Sequence, residues 1–136
     1  MTPLEQITRD EGYRQYPYKD TLGVLTVGIG RNLDRVGISR EEAGVMAEND
    51  INRCIAGLRQ ALDFFDGLSG PRQGVLINMA FQMGVRGLLK FTDTLARIER
   101  GDFEGAAKAM LNSEWARQTP LRAQRLAEQM RTDIWV

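Results

Sequence analysis

The sequence predicts a mainly helical α+β chain, with one small antiparallel hairpin or sheet near its start and a long helix followed by several shorter ones. Three observations carry the prediction. Alternation of period two is confined to residues 16–29, two Ser/Thr-x-x-Glu capping boxes open helical stretches, and apolar residues keep helical spacing through most of the remainder.

Thr2 and Glu5 form the first capping box, with Pro3 at the first helical position, so a helix runs from about Pro3 to Glu11 and Gly12 stops it. From Tyr16 to Ile29 the period changes. Leu25, Val27 and Ile29 alternate with Thr26, Gly28 and Gly30, and Asp20-Thr21-Leu22-Gly23 has the Asp-first, Gly-last signature of a type I turn. The alternation assigns Leu25, Val27 and Ile29 to one face. Thr26 and the glycines fall on the other, which is left open for a ligand to approach the backbone, although plain strand-end irregularity explains the glycines equally well. Ser39 and Glu42 form the second capping box. After it Ala43, Met46, Ala47, Ile51, Cys54, Ile55, Leu58 and Leu62 keep helical spacing, giving one helix over about Arg40 to Leu62, well beyond the ~11–12 residue mean. Ser69-Gly70-Pro71, Thr92, Gly101-Asp102, Ser113 and Thr119-Pro120 then divide the rest into short helices. The expected organisation is a single domain over 1–136: a β lobe at about 12–38, a linking helix at about 40–62, and a helical lobe at about 67–136 with helix 3–11 packing on it.

Composition narrows the function. A chain of 136 residues with 43% hydrophobic content has enough material for its own core, so a monomer is expected. Eighteen basic and eighteen acidic residues cancel, which removes the electrostatic case for nucleic acid. The single cysteine, Cys54, has no partner for an internal disulfide and no histidine to share a metal with, so a reduced site without metal is expected. Its place on the long helix's apolar face makes it a small core residue rather than a nucleophile. The first residues show neither a basic segment nor an apolar one, and no stretch reaches the length of a membrane span. The expectation is a protein made in the cytoplasm, without an export signal or membrane insertion.

Two carboxylates stand out. Glu11 is in phase with Leu4, Ile7 and Thr8, hence expected to face inward, and it lies in the last helical turn, where the dipole disfavours an ionised acid. Both effects keep its proton on. Asp20 opens a turn and is expected to be wet and ionised. Either residue alone is ordinary. Together they supply the proton donor and the base that glycosidic bond cleavage requires.

Glu11-Gly12, Tyr18-Lys19-Asp20-Thr21 and Leu25-Thr26-Val27-Gly28-Ile29-Gly30 resemble the active-site segment of the phage-type lysozymes, the muramidases typified by the T-even phage enzyme. Ile77-Asn78-Met79-Ala80-Phe81-Gln82-Met83-Gly84 is similar to that family's central helix. Trp115 with Gln118-Thr119-Pro120 and Arg122-Ala123 is similar to its C-terminal region. The resemblance implies a lysozyme-like fold, with Glu11 as general acid, Asp20 as the carboxylate that handles water, and Thr26 as the hydroxyl that helps hold it. It makes Phe81 and Gln82 cleft residues beside Gly30, though Phe81 is also readable as packing, and pairs Arg122 with Glu11, where pattern alone gives a solvated arginine. Trp115 and Trp135 are read as core or surface anchors rather than sugar platforms. Three departures follow. Arg31 stands where the family often has histidine, Ala109 where the T-even enzyme has asparagine, and the segment before the long helix is short, Asn32 to Ile38. Asp50 occupies the position of the acid that pairs with that histidine, so an Arg31–Asp50 ion pair is expected. The implied function is an endolysin hydrolysing the β-1,4 bonds of bacterial peptidoglycan by inversion and with no cofactor, reaching the wall from the host cytoplasm through a separate membrane lesion. The alternative is a catalytically silent lysozyme-like protein that binds glycan or serves a structural role.

Overall fold

The computed structural model describes every residue from Met1 to Val136. Its residues group into two compact units, Met1–Met46 and Ala47–Val136, and the whole is a mainly helical α+β chain with a small sheet, as the sequence predicts.

In the first unit, helix α1 (Pro3–Glu11) begins on the expected capping box: the Glu5 amide donates to Thr2 Oγ1 at 3.1 Å, and the Thr2 amide donates to Glu5 Oε2 at 2.6 Å. Gly12, at φ 74°, ends it. Strands β1 (Arg14–Lys19), β2 (Leu25–Gly28) and β3 (Arg31–Asn32) follow as an antiparallel sheet in that order. Thr26 pairs with Tyr18 on one side and Asn32 on the other, so β2 is the middle strand. The expected turn joins β1 to β2, with the Gly23 amide donating to the Asp20 carbonyl at 3.0 Å. One expectation fails. Thr26, placed on the open face, is the single buried side chain of this unit at 6% exposure, while Leu25 and Val27 are half-buried and Ile29 is exposed. The middle strand places Thr26 between two neighbours, and Ile29 belongs to the turn 29–30 between β2 and β3 instead of to a strand.

Helix α2 (Arg40–Ala61) starts on the second capping box, the Glu42 amide donating to Ser39 Oγ at 3.1 Å and the Ser39 amide to Glu42 Oε1 at 2.9 Å. Its first turns belong to the first unit and the remainder to the second. The second unit continues through a 3₁₀ turn (Phe65–Gly67), α3 (Gly70–Leu88), α4 (Thr92–Glu99), α5 (Phe103–Leu111), α6 (Glu114–Gln118) and α7 (Pro120–Thr132). Ser69, Asp102 and Ser113 cap α3, α5 and α6 through their side chains. Thr119 does not cap α7; its hydroxyl instead donates to the Trp115 carbonyl at 2.9 Å. Gly84, at φ 79° and ψ 157°, breaks α3 one turn before its end and kinks it.

The core lies in this second unit. Leu58, Val75, Leu76, Met79, Leu88 and Met110 are fully buried in it, and Cys54 packs at its edge. Helix α5 packs on α4 and α7, and α3 and α6 pack on α7 as well. Arg72, near the start of α3, closes the arrangement. Its Nε donates to the Met130 carbonyl at 2.9 Å and its Nη2 to the Arg131 carbonyl at 3.3 Å, while the guanidinium lies 3.6 Å from the centroid of the Phe103 ring. A cation at the last carbonyls of α7 also suits the negative end of that helix.

Candidate active site

Glu11 is exposed rather than turned inward, because α1 buries none of its residues and its stripe partners Leu4 and Ile7 are exposed with it. The carboxyl rests against the β2–β3 turn. A Cβ built on Gly30 would stand 2.8 Å from Glu11 Oε2 and 2.9 Å from Cδ, and Gly30 has φ +66°, so both space and backbone favour glycine there. The structure thus brings two of the sequence-predicted residues into contact.

Asp20 is oriented by the turn it opens. Its Oδ1 accepts the Leu22 amide at 2.8 Å and the Val24 amide at 2.9 Å, leaving Oδ2 without a protein donor. The ladder continues to Asp20, whose amide donates to the Val24 carbonyl at 2.9 Å. Tyr18 faces Thr26 directly, so those two side chains share a sheet face, and Asp20 follows one residue beyond the end of β1. The Thr26 hydroxyl donates to the Val24 carbonyl at 2.9 Å. Its proton is committed and its lone pairs are available to accept one.

Arg31 does not pair with Asp50. Its guanidinium takes Glu42 in a two-pronged ion pair, with Nη1–Oε1 at 2.9 Å and a closer Nη2–Oε2 contact, and Nη1 also donates to the Gly37 carbonyl at 2.9 Å. Asp50 pairs with Arg53, one turn along its own helix. The capping box explains the exchange: Glu42 is the third residue of α2, its carboxyl is already turned back toward Ser39, and the short segment 32–38 delivers that first turn to β3. The Arg31 hydrogen bond and the Ser39 amide and hydroxyl bring the Glu42 carboxyl down to about 2, against a smaller opposing effect of desolvation.

In the second unit, one face of α3 carries Asn78, Phe81 and Gln82 at helical spacing. Phe81 is 46% exposed. Gln82 Oε1 accepts the Trp115 indole N–H at 2.8 Å, which keeps the Gln82 amide nitrogen free to donate outward. Trp115 is buried and meets Phe91 edge-on, with ring centroids 6.0 Å apart. It borders an open pocket of about 390 Å³ whose wall also includes Thr92, Ala109, Asn112 and Ser113. Arg122 donates from Nε to Asn78 Oδ1 at 2.8 Å and from Nη2 to the Asn78 carbonyl at 3.3 Å. Three residues escaped the sequence reading: Glu42 as the partner of Arg31, Asn78 as the partner of Arg122, and Trp115 as the partner of Gln82. The i, i+3, i+4 spacing of 78, 81 and 82 was the available signal for the second.

Residues 8–129 match the phage lysozyme family. The chain is 34% identical to the pre-baseplate central spike protein Gp5 of Enterobacteria phage T4, over 93% of its own length and 27% of that protein's. It is 29% identical to probable T4-type lysozyme 1 of Dictyostelium discoideum, over 94% of this chain and 92% of that one. Peptidoglycan hydrolase gp36 of Pseudomonas phage phiKMV is 28% identical over 93% of this chain, which spans 15% of that protein.

Proposed function

The chain belongs to the phage lysozyme family, and on that footing we propose that it is a glycoside hydrolase that cuts the β-1,4 link between N-acetylmuramic acid and N-acetylglucosamine in bacterial peptidoglycan. Glu11 donates a proton to the glycosidic oxygen as the bond breaks. Asp20 Oδ2 takes one proton from a water molecule whose other hydrogen is hydrogen-bonded to the Thr26 hydroxyl oxygen and stays on the water oxygen as that oxygen bonds to the anomeric carbon. Attack by water opposite the leaving group inverts the anomeric configuration. The second unit, taken by itself, offers glycan an apolar face at Phe81 and a donor at the Gln82 amide nitrogen. The place of action is the host wall, reached from the host cytoplasm through a separate membrane lesion, and the outcome is lysis.

Asp20 carries this reading: its carboxylate is held by two backbone amides with one oxygen left for water, and one of those amides belongs to Val24, whose carbonyl takes the Thr26 hydroxyl proton in a hydrogen bond. Purified peptidoglycan incubated with the protein should yield new N-acetylmuramic acid reducing ends, with the α-anomer appearing first in proton NMR. Glu11→Gln should lower the rate by at least about 100-fold with the far-UV circular dichroism unchanged. A Glu11→Gln protein that still clears walls at the parent rate removes Glu11 as the acid.

A further inference from the structure

We infer that the Arg31–Glu42 ion pair is a positioning pair for this site: by tying the two-residue strand β3 to the first turn of α2, it holds the β2–β3 turn where Gly30 meets the Glu11 carboxyl. The inference rests on the reading of Glu11 as the proton donor.

Strand β3 is too short to hold itself. It pairs with β2 only through Asn32 with Thr26 and Arg31 with Val27. The turn between them, residues 29–30, has glycines of positive φ on either side of Ile29, Gly28 and Gly30; Gly28 is held by its pairing with Arg14, and the turn beyond it is exposed at Ile29. Beyond the strand, the Leu33 amide donates to the Leu25 carbonyl at 2.8 Å and Asp34 Oδ2 accepts the Leu25 amide at 3.0 Å, which closes the ladder without anchoring it to anything outside the sheet. Arg31 supplies that anchor. Its planar fork matches the Glu42 carboxylate in two contacts and takes the Gly37 carbonyl as a third partner, a geometry that specifies direction as well as distance. Glu42 is itself oriented by the capping box, so its carboxylate is fixed relative to the first turn of α2 and the β2–β3 turn is tied to that helix end. Arg31 is the residue next to Gly30. Any slackening of the pair is therefore passed to the surface on which the Glu11 carboxyl rests. Proton transfer needs donor and acceptor within about 2.6–3.2 Å, and a misplacement of ~1 Å costs up to about 100-fold in rate.

Glu42→Gln separates the pair from the cap. Glutamine serves equally as the third residue of a capping box, but it has no charge and cannot form the two-pronged contact with Arg31. Glu128→Gln, which removes the Arg131–Glu128 pair on α7, is the control for losing an exposed ion pair elsewhere. With peptidoglycan fragments as substrate, Glu42→Gln should lower kcat roughly three- to tenfold with KM within about twofold, the sign of a misplaced reacting group rather than weaker binding. Amide hydrogen exchange in the β2–β3 pairing should quicken in the same variant, and Glu128→Gln should keep the parent kcat. Three results would overturn the inference: an unchanged kcat in Glu42→Gln, a loss confined to KM, or a loss matching the fraction unfolded at the assay temperature. A wild-type protein that releases no reducing ends removes the proposed activity and this role together, whereas an active wild type with an indifferent Glu42→Gln variant removes only the role.

Discussion

The two units are ordered by different forces. Between Met1 and Met46 a single side chain, Thr26, is buried, and what fixes the backbone is a series of local polar devices: two capping boxes, an Asx-type turn at Asp20, glycines at positive φ, and the Arg31–Glu42 pair. Between Ala47 and Val136 the helices close on a continuous apolar core. Polar devices contribute about 0.5–1.5 kcal/mol each, but they leave carboxylates and hydroxyls at the surface with known orientation. A packed core gives stability and nothing with which to transfer a proton. In this chain the proposed acid and base both lie where the core is absent.

Asp20→Asn is the strongest way to sharpen that contrast. The amide oxygen can still accept the Leu22 and Val24 amides, so the turn should survive, while the base is gone. Turnover should fall by about 100- to 10,000-fold, with urea unfolding shifted by less than about 0.5 kcal/mol. Loss of activity through loss of folding would contradict the separation. Next in size is Leu76→Ala, at a side chain with 0% exposure, which should cost about 2–5 kcal/mol of stability. Val27→Ala, on half-buried β2, should cost about 1 kcal/mol or less. Equal costs at the two positions would erase the distinction between the units.

The smallest effect is a dependence on pH. Glu42 has its folded pKa at about 2, and the unfolded value is about 4.3. Because the folded value is the lower one, the carboxylate's contribution is complete above the unfolded pKa and is lost as pH falls through the folded one. Stability of the β2–β3 pairing, followed by hydrogen exchange, should therefore decline on acidification from about 4.3 toward 2, and Glu42→Gln should flatten that decline. A parallel acid response in both proteins would show that Glu42 is not its source.

What the sequence disclosed follows the range of the forces involved. Both capping boxes, the bounds of α1, the start of α2 and the Asp20 turn are set by residues within four positions of one another, and each was legible. The exposure of Glu11 was not, because helical periodicity says which residues share a face and nothing about whether another element covers it. The partner of Arg31 was misjudged for a related reason. A position carried over by resemblance pointed to Asp50, while Glu42, already oriented by its own cap, was nearer along the chain and had been read only as part of that cap. The Gln82–Trp115 and Asn78–Arg122 contacts join residues 33 and 44 positions apart, a separation that no local pattern encodes.

Arg72 has a consequence for the order in which the chain matures. Its guanidinium is mostly buried, and its acceptors at Met130 lie 58 residues downstream. As the chain is synthesised, α3 therefore emerges with a charge whose partners do not yet exist, and the helices between can form without being locked together. Ser69 and Asp133 meet at the same junction. The helical unit is a clasp whose two halves are made far apart in time, and Arg72 meets its acceptors only once the last turn of α7 has been made.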